Sequence, residues 1–271
     1  DTDRLPDDAA RLCNAMDRVW LPSDFHREVF ESAGVDASKI RLLPPCAPAS
    51  TIAEASPISL GTGRSFNFLT LVEWTPRSGW DIVVRAFASA FQPDDDVALV
   101  ILAYSFAATN LQQLQGEIQQ VLGSIMGQAW RVPPITVNLG LPSAAQRPGL
   151  YRAAQACVHA NRGARGSRAL LEAMTCGCPA IGTGWGGNLA FMTDENSYLI
   201  ESGLQAVPGA DGQQWAESSV EHLAELMQGT VKNRAEADAK GARARAAIAR
   251  DFSPAAVGRR LRELYSDVRP G

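Results

Sequence analysis

The residues best suited to bind an anion lie in the stretch NRGARGSRALLEAMTCGCPAIGTGWGG, residues 161 to 187. Its pattern predicts a loop, a helix, a strand and a second glycine-rich loop. Gly166 and Ser167 precede the helix, so its first amide hydrogens and the positive end of its dipole would face a ligand beyond the sheet edge. Every strand that leads through a loop into a helix offers this geometry, so the stretch identifies a site only together with its context.

Histidine is the side chain best suited to acid-base chemistry near neutral pH, and the chain has three, His26, His159 and His222. None lies in an evident catalytic setting. His159 ends the apolar stretch ACVHA and could face a ligand cleft, although a hydrogen-bonded histidine at a strand end is the favoured interpretation. No Ser/His/Asp arrangement and no complete P-loop motif is present.

The five cysteines form an odd set without the spacing of a disulfide framework, which is typical of a reducing compartment such as the cytosol or an organelle interior. Cys176 and Cys178 form a C-x-C pair that could bind a metal. No second Cys or His pair lies near them in sequence, so we interpret them as small buried side chains and predict no metal site.

The composition indicates a globular protein of about two domains, with 271 residues, 46% hydrophobic and 20% charged. A net charge of -4 argues against a nucleic-acid binder, which needs a basic face. The longest apolar run, VALVILAY, is far below the roughly 20 residues of a membrane-spanning helix and is interpreted as a buried strand. No signal peptide is evident, and the true N-terminus is expected to lie upstream of Asp1.

From residue 66 onward, strand-like runs alternate with helix-length stretches. The runs are FNFLTLV, VALVILAY, ITVNLG, ACVHA, PAIGTG and SYLI. Such alternation predicts an α/β fold with a doubly wound, Rossmann-like parallel sheet covered by helices on both faces. Ligands of such sheets bind at the carboxyl ends of the strands.

Residues 45 to 64 are rich in Pro, Ser, Ala and Gly and mark a linker. We therefore predict segments at 1–50, 51–65, 66–250 and 251–271. Secondary-structure signals refine this division. They predict a strand ending at Leu21, a helix capped by Ser23, a strand near 40 to 43, a helix from Trp215 to Met227, and a final helix from Ser253 and Pro254 to about Asp267.

The order of these stretches closely resembles the donor-binding lobe of retaining, GT-B type group 1 glycosyltransferases. The similar stretches are TDRLP, MDRVWLPSDF, SAGVDASKIRLLP, FNFLTLVEWTPRSGWDIVVRAF, LYRAAQACVHANRG, LLEAMTCGCPAIGT, TDENSYLI and DFSPAAVGRRLREL. The resemblance implies that 66–250 is the donor-type lobe, that 1–50 is the C-terminal remnant of an acceptor-type lobe, and that 251–271 forms the closing helix.

The resemblance also implies a ligand, a nucleoside diphosphate sugar, and no further cofactor. Glu172 would accept hydrogen bonds from the ribose. Arg77 and the amides of Leu170 and Leu171 would bind the diphosphate without a metal. The base would stack near Gly140 and Leu141, and Gly186 and Gly187 would let the backbone approach the sugar or phosphate.

Three of the positions that depart from the family pattern have lost a charged group. The family's GEGWGRP is GARGSRA here, so Ala164 replaces a sugar-facing glutamate; Ser78 replaces the lysine that meets the diphosphate, and Ala190 replaces a second glutamate. The favoured hypothesis is therefore a catalytically impaired module with weak donor binding and protein partners in a larger assembly, with Trp185 in an exposed apolar patch or lining the cleft. The alternative is an active retaining glycosyltransferase.

Overall fold

The computed structural model describes residues 2–6, 8–48, 55–126, 131–163, 166–210 and 212–266. Its first part is a small unit in which two short parallel strands pair with each other. The unit contains α1 (Ala9–Asn14), β1 (Val19–Leu21), α2 (Asp24–Ser32) and β2 (Ile40–Leu42). The Ser23 side chain accepts a hydrogen bond from the His26 amide at the start of α2. The predicted capped helix and both predicted strands are confirmed.

A six-stranded parallel sheet forms the centre of the molecule. Its strands are β3 (Phe66–Glu73), β4 (Val97–Tyr104), β5 (Ile135–Leu139), β6 (Ala156–His159), β7 (Ala180–Thr183) and β8 (Tyr198–Ile200). Their spatial order is β5-β4-β3-β6-β7-β8, so the chain winds outward from β3 in one direction and from β6 in the other. The predicted doubly wound α/β fold is confirmed, and β4 is almost continuously apolar because both faces of the sheet are covered.

Helices cover both faces of the sheet. They are α3 (Trp80–Ala90), α4 (Leu111–Met126), α5 (Arg147–Ala153), α6 (Arg168–Thr175), α7 (Val220–Lys232), α8 (Arg234–Asp251) and α9 (Pro254–Ser266). One apolar core joins α3, α4 and α7 to Phe66 and Phe68 of β3, and the other joins α5, α6 and α8 to Leu69 and Leu71. Side chains alternate across a strand, so each face of β3 has its own core. Within the described ranges, no helix is both long and apolar enough to cross a membrane.

The segment after β8 differs from its prediction. Instead of a helix from Trp215 to Met227, an antiparallel hairpin forms from β9 (Ser202–Ala206) and β10 (Gln214–Ser218). Helix α7 begins only after Ser219, whose side chain accepts a hydrogen bond from an amide of the first turn. The cap defines the helix start, and burial of every second residue from Ala216 favours the strand before it.

The N-terminal unit contacts the sheet unit directly. The Ala47 amide donates to the Phe252 carbonyl oxygen at 2.8 Å. The rings of Phe25 and Trp185 meet edge to face with centroids 4.6 Å apart. Trp185 is therefore half-buried between the two units and does not belong to a free apolar patch.

Residues 55 to 64 have neither helix nor strand, whereas residues 49–54 of the predicted linker lie outside the described residues. The last helix, α9, is capped as predicted, since Ser253 Oγ accepts from the Ala256 amide at 3.3 Å. Its predicted end at Asp267 lies outside the described residues. The four segment boundaries stay predictions.

Candidate functional site

A cleft of about 250 Å³ lies at the carboxyl ends of β3, β4 and β6 and at the start of α6. Its polar lining includes Glu73, Arg77, Ser78, Ser167 and Arg168. The chain winds in opposite directions from the neighbouring strands β3 and β6, and doubly wound sheets bind ligands in the crevice that such a switch opens. Two arginines make this crevice suited to an anion.

Ser167 and His159 meet in the lining of this cleft. Burial lowers the pKa of His159 to about 4, so its ring is neutral at neutral pH. Its Nε2 accepts from the Leu71 amide at 3.4 Å, and its Nδ1 lies 3.3 Å from Ser167 Oγ. Ser167 Oγ also accepts from the Leu170 amide at 3.3 Å and so caps α6. His159 is a hydrogen-bonded strand-end histidine, as the sequence favoured.

The second glycine-rich loop packs against the first. The Ser167 amide donates to Asn188 Oδ1 at 2.8 Å, and Asn188 Nδ2 donates to Asn161 Oδ1 at 3.1 Å. Gly166 has a φ of +114°, and a Cβ there would lie 3.3 Å from the Gly187 carbonyl oxygen. Glycine is therefore required at this close approach, and the two loops form one continuous surface.

The Glu172 carboxylate is buried and surrounded by donors, with its side chain 1% exposed. Arg147 donates to both oxygens, at 2.8 Å from Nε and 3.2 Å from Nη2. Arg168 Nε donates at 2.9 Å, and the Tyr151 hydroxyl at 3.3 Å. Burial raises the pKa of Tyr151 well above its usual value, so its hydroxyl keeps its proton. Glu172 is absent from the cleft lining.

Residues 66–225 match the model of one protein family, described as glycosyl transferases group 1. The match covers more than half of the 271 residues and includes the whole central sheet. This chain belongs to the group 1 glycosyl transferases. A search of curated proteins finds no match to it by sequence.

Solved structures of GT-B type glycosyltransferases share the fold of this chain. HepE from Anabaena, solved in complex with UDP and glucose, matches with a TM-score of 0.75 at 18% identity over 96% of this chain. A sucrose-phosphate synthase from Thermosynechococcus elongatus gives 0.70 at 18% over 96%, and a glycosyltransferase from Rickettsia africae gives 0.71 at 14% over 97%. The chain spans 66% of the HepE chain, 60% of the synthase and 68% of the Rickettsia protein.

Arg77 and Ser78, both predicted to lie at the diphosphate, line the cleft. The Ser78 hydroxyl donates to the Thr75 carbonyl oxygen at 2.8 Å, so it closes its own turn. Gly140 and Leu141, the residues predicted at the base, follow β5 at the same sheet edge but lie outside the cleft lining. Leu141 is 56% exposed.

The Leu170 and Leu171 amides, predicted to bind the diphosphate, are both bonded within the helix start. The Leu170 amide donates to Ser167 Oγ, and the Leu171 amide donates to the Ser167 carbonyl oxygen at 3.0 Å. A cap satisfies the third helical amide and the first helical bond satisfies the fourth. The amides of Arg168 and Ala169 precede them and have no partner among the described residues.

Of the two remaining departures from the family pattern, Ala164 and Ala190, the structure describes only Ala190. Ala164 is outside the described residues. Ala190 ends the turn that contains Gly186 and Gly187, and it lines a separate cavity of about 640 Å³ beside the N-terminal unit. A cluster of three substitutions around one sugar position stays a prediction.

Arg162, which no sequence motif singles out, fixes the loop after β3. Its guanidinium donates to Asp81 at 2.8 and 2.9 Å, to Glu217 at 2.9 Å and to the Pro76 carbonyl oxygen. Burial alone would lower the pKa of Arg162, but the hydrogen bonds to Asp81 and Glu217 raise it. The Arg162 amide also donates to the Arg77 carbonyl oxygen at 2.8 Å. Arg162 therefore positions Arg77, and no local sequence signal pairs it with acids so far away.

The other titratable side chains considered as candidates are two histidines and the five cysteines, and their surroundings suit a structural role. His26 Nδ1 lies 2.7 Å from Ser23 Oγ, and His222 Nδ1 accepts from the Glu201 amide at 2.9 Å. The five cysteines are free thiols, and burial raises the pKa of Cys176 to about 11. A metal would need thiolates, and no cluster of three His, Cys, Asp or Glu suited to a metal occurs in the part of the chain that the structure describes.

Proposed function

We propose that this glycosyl transferase lobe has lost sugar transfer, binds a nucleoside diphosphate weakly in the cleft, and serves as a structural module in a larger assembly. The environment of Glu172 carries this proposal. The family resemblance assigns ribose binding to this carboxylate, yet its side chain is 1% exposed and both its oxygens accept hydrogen bonds from Arg147. The nucleotide sugar would lose its ribose contact.

The free energies involved favour keeping the ion pair between Arg147 and Glu172 over a hydrogen bond from a ribose to Glu172. Removing one partner of a buried ion pair costs about 3 to 5 kcal/mol. A hydrogen bond from a ribose hydroxyl to a charged group contributes only about 1.5 to 3 kcal/mol. A nucleotide would therefore not displace Arg147 from Glu172, and its affinity would depend on the phosphates.

The diphosphate contact is reduced but present. Ser78 replaces a lysine of the family pattern, and its hydroxyl is engaged by Thr75, so one charge-assisted bond is lost. Such a bond contributes about 1.5 to 3 kcal/mol, roughly a ten- to hundredfold change in affinity. Arg77 and Arg168 still line the cleft. The UDP in HepE supports a nucleoside diphosphate as the ligand class.

An exposed apolar cluster at the same sheet edge supports a partner-binding role. Phe106 is 88% exposed, Leu141 56% and Leu139 39%. β4 pairs with β5 so that Ala103 lies opposite Leu139, which brings the segments after both strands together. Large exposed apolar side chains in one place are typical of interaction surfaces.

Calorimetry and a transfer assay test this function together. The full chain is titrated with UDP and UDP-glucose, and hydrolysis or transfer is followed with common nucleotide sugars. We expect a Kd in about the millimolar range for UDP, little gain from the glucose, and no turnover. Turnover of any donor by the unmodified chain would contradict the loss of catalysis and favour the active retaining enzyme instead.

A further inference from the structure

The hydrogen bonds around Ser167 determine where its hydroxyl proton can go. His159 Nε2 accepts the Leu71 amide proton, so the neutral ring carries its own proton on Nδ1 and donates it to Ser167 Oγ. The Leu170 amide donates to the same oxygen. A hydroxyl oxygen accepts two hydrogen bonds, so both positions are filled. The hydroxyl proton has no acceptor within the described ranges and is available to a ligand in the cleft.

Arg168 forms an ion pair with Glu172, but the buried carboxylate does not depend on this second positive charge. The Arg168 side chain is 70% exposed, whereas Glu172 is 1% exposed and already holds two bonds from Arg147. An exposed cation four residues away on the same helix adds little to such a pair. Arg168 can therefore turn from Glu172 toward a ligand at small cost, and it lines the cleft beside Ser167.

We propose that the Ser167 hydroxyl and the Arg168 guanidinium together bind a phosphate group of the ligand. This inference rests on the proposed binding of a nucleoside diphosphate. Arg168 has no acceptor atom and Ser167 has none left, so the pair favours a ligand rich in acceptor oxygens. Phosphate fits best, since its charge matches the guanidinium. Ser167 stands at a glycine of the family pattern, so its hydroxyl adds a donor in a cleft where Ser78 provides none.

Calorimetric titration of the full chain with UDP, inorganic pyrophosphate and uridine tests the pair. Ser167→Ala and Arg168→Ala should each weaken binding of UDP and pyrophosphate about tenfold or more, because each removes a bond to a charged group. Uridine carries no phosphate, so its affinity should stay within about twofold. Arg234→Ala is the matched control, because Arg234 donates to the Ser65 carbonyl oxygen at the opposite, amino-terminal end of β3 and should bind all three like the wild type.

Ser167→Ala also removes the cap of α6, so two further variants separate binding from folding. Ser167→Asp keeps a cap acceptor and lacks a donor, and it should keep a melting temperature close to that of the wild type while losing pyrophosphate. Ser167→Thr keeps both functions and should bind pyrophosphate like the wild type.

Three results would contradict the proposal that Ser167 and Arg168 bind a phosphate group. If Ser167→Asp and Arg168→Ala bind UDP and pyrophosphate like the wild type, Ser167 and Arg168 do not bind the phosphate, although the proposed nucleotide binding stands. If the variants lose uridine and pyrophosphate alike, these residues act through the fold. If the wild type binds neither UDP nor pyrophosphate, the proposed function itself fails and the pair with it.

Discussion

The ion pair between Arg147 and Glu172 allows the sharpest test of this structure. Both side chains are buried, at 11% and 1% exposure, and two hydrogen bonds of 2.8 and 3.2 Å join them. Arg147→Met fills a similar volume but leaves a buried carboxylate whose only donors within the described residues are Arg168 and Tyr151. We expect a loss of about 3 kcal/mol in the free energy of unfolding, at the lower end of the range for a broken buried pair because Arg168 remains.

The matched variant removes both charges at once. Arg147→Met with Glu172→Met replaces the pair by apolar side chains, and such replacements are neutral or stabilising by about 1 to 4 kcal/mol. Urea unfolding of the wild type, both single variants and the double variant gives the coupling energy between the two residues. A coupling energy below about 0.5 kcal/mol would refute the buried pair and remove the main support for the proposed loss of ribose binding.

Three further predictions follow from individual residues. Burial lowers the pKa of His159 from its usual 6.5 to about 4. The contribution of the neutral ring to stability is therefore complete above pH 6.5 and falls as the pH drops toward 4. Urea unfolding should show that the free energy of unfolding decreases by about 3 kcal/mol between pH 7 and pH 4, and His159→Gln should lack this decrease. Ser78→Lys combined with Ala164→Glu should tighten UDP-glucose more than UDP in calorimetry, because the new acid would contact only the sugar, and equal tightening would contradict this. Arg162→Met should leave Asp81 half-buried without its partner and lower the melting temperature by several degrees, whereas Arg250→Met on the surface should not.

The sheet could be predicted because its strands are short apolar runs separated by helix-length segments, and burial on both faces produces that pattern in β4. The hairpin after β8 could not, because the letters WAESSVEHLAEL satisfy helical spacing from Trp215 onward. Only the cap at Ser219 and the pairing of Trp215 with Gln205 decide otherwise, and the pairing is a contact between segments. Local periodicity does not encode such a choice.

The candidate site likewise has one part that could be predicted from the sequence and one part that could not. Arg77, Ser78 and Ser167 lie at loops after strands, where ligands are expected, and they do line the cleft. The burial of Glu172 could not be predicted, because its partner Arg147 is 25 residues away and a single arginine in a polar loop is typical of a surface. Charge pairing across the fold therefore decides whether a motif residue is available to a ligand.

Arg147 and Arg168 both bind Glu172, so removing Arg147 should change the affinities for ribose and for phosphate in opposite directions. While Arg147 neutralises the carboxylate, Arg168 can leave its bond to Glu172 at small cost and turn toward the cleft. In Arg147→Met the carboxylate would hold Arg168 as its only cation among the described residues, and each of its oxygens would keep one donor and lose the other, which leaves room for a hydrogen bond from a ribose hydroxyl. We therefore expect this variant to bind pyrophosphate more weakly than the wild type and uridine more tightly, each by several-fold in calorimetry. Adding Arg168→Ala to the variant should abolish the further loss of pyrophosphate affinity, since the cation is then already absent. If pyrophosphate and uridine instead change in the same direction, the two arginines are not in electrostatic competition, and the assignment of Arg168 to the phosphate loses its basis.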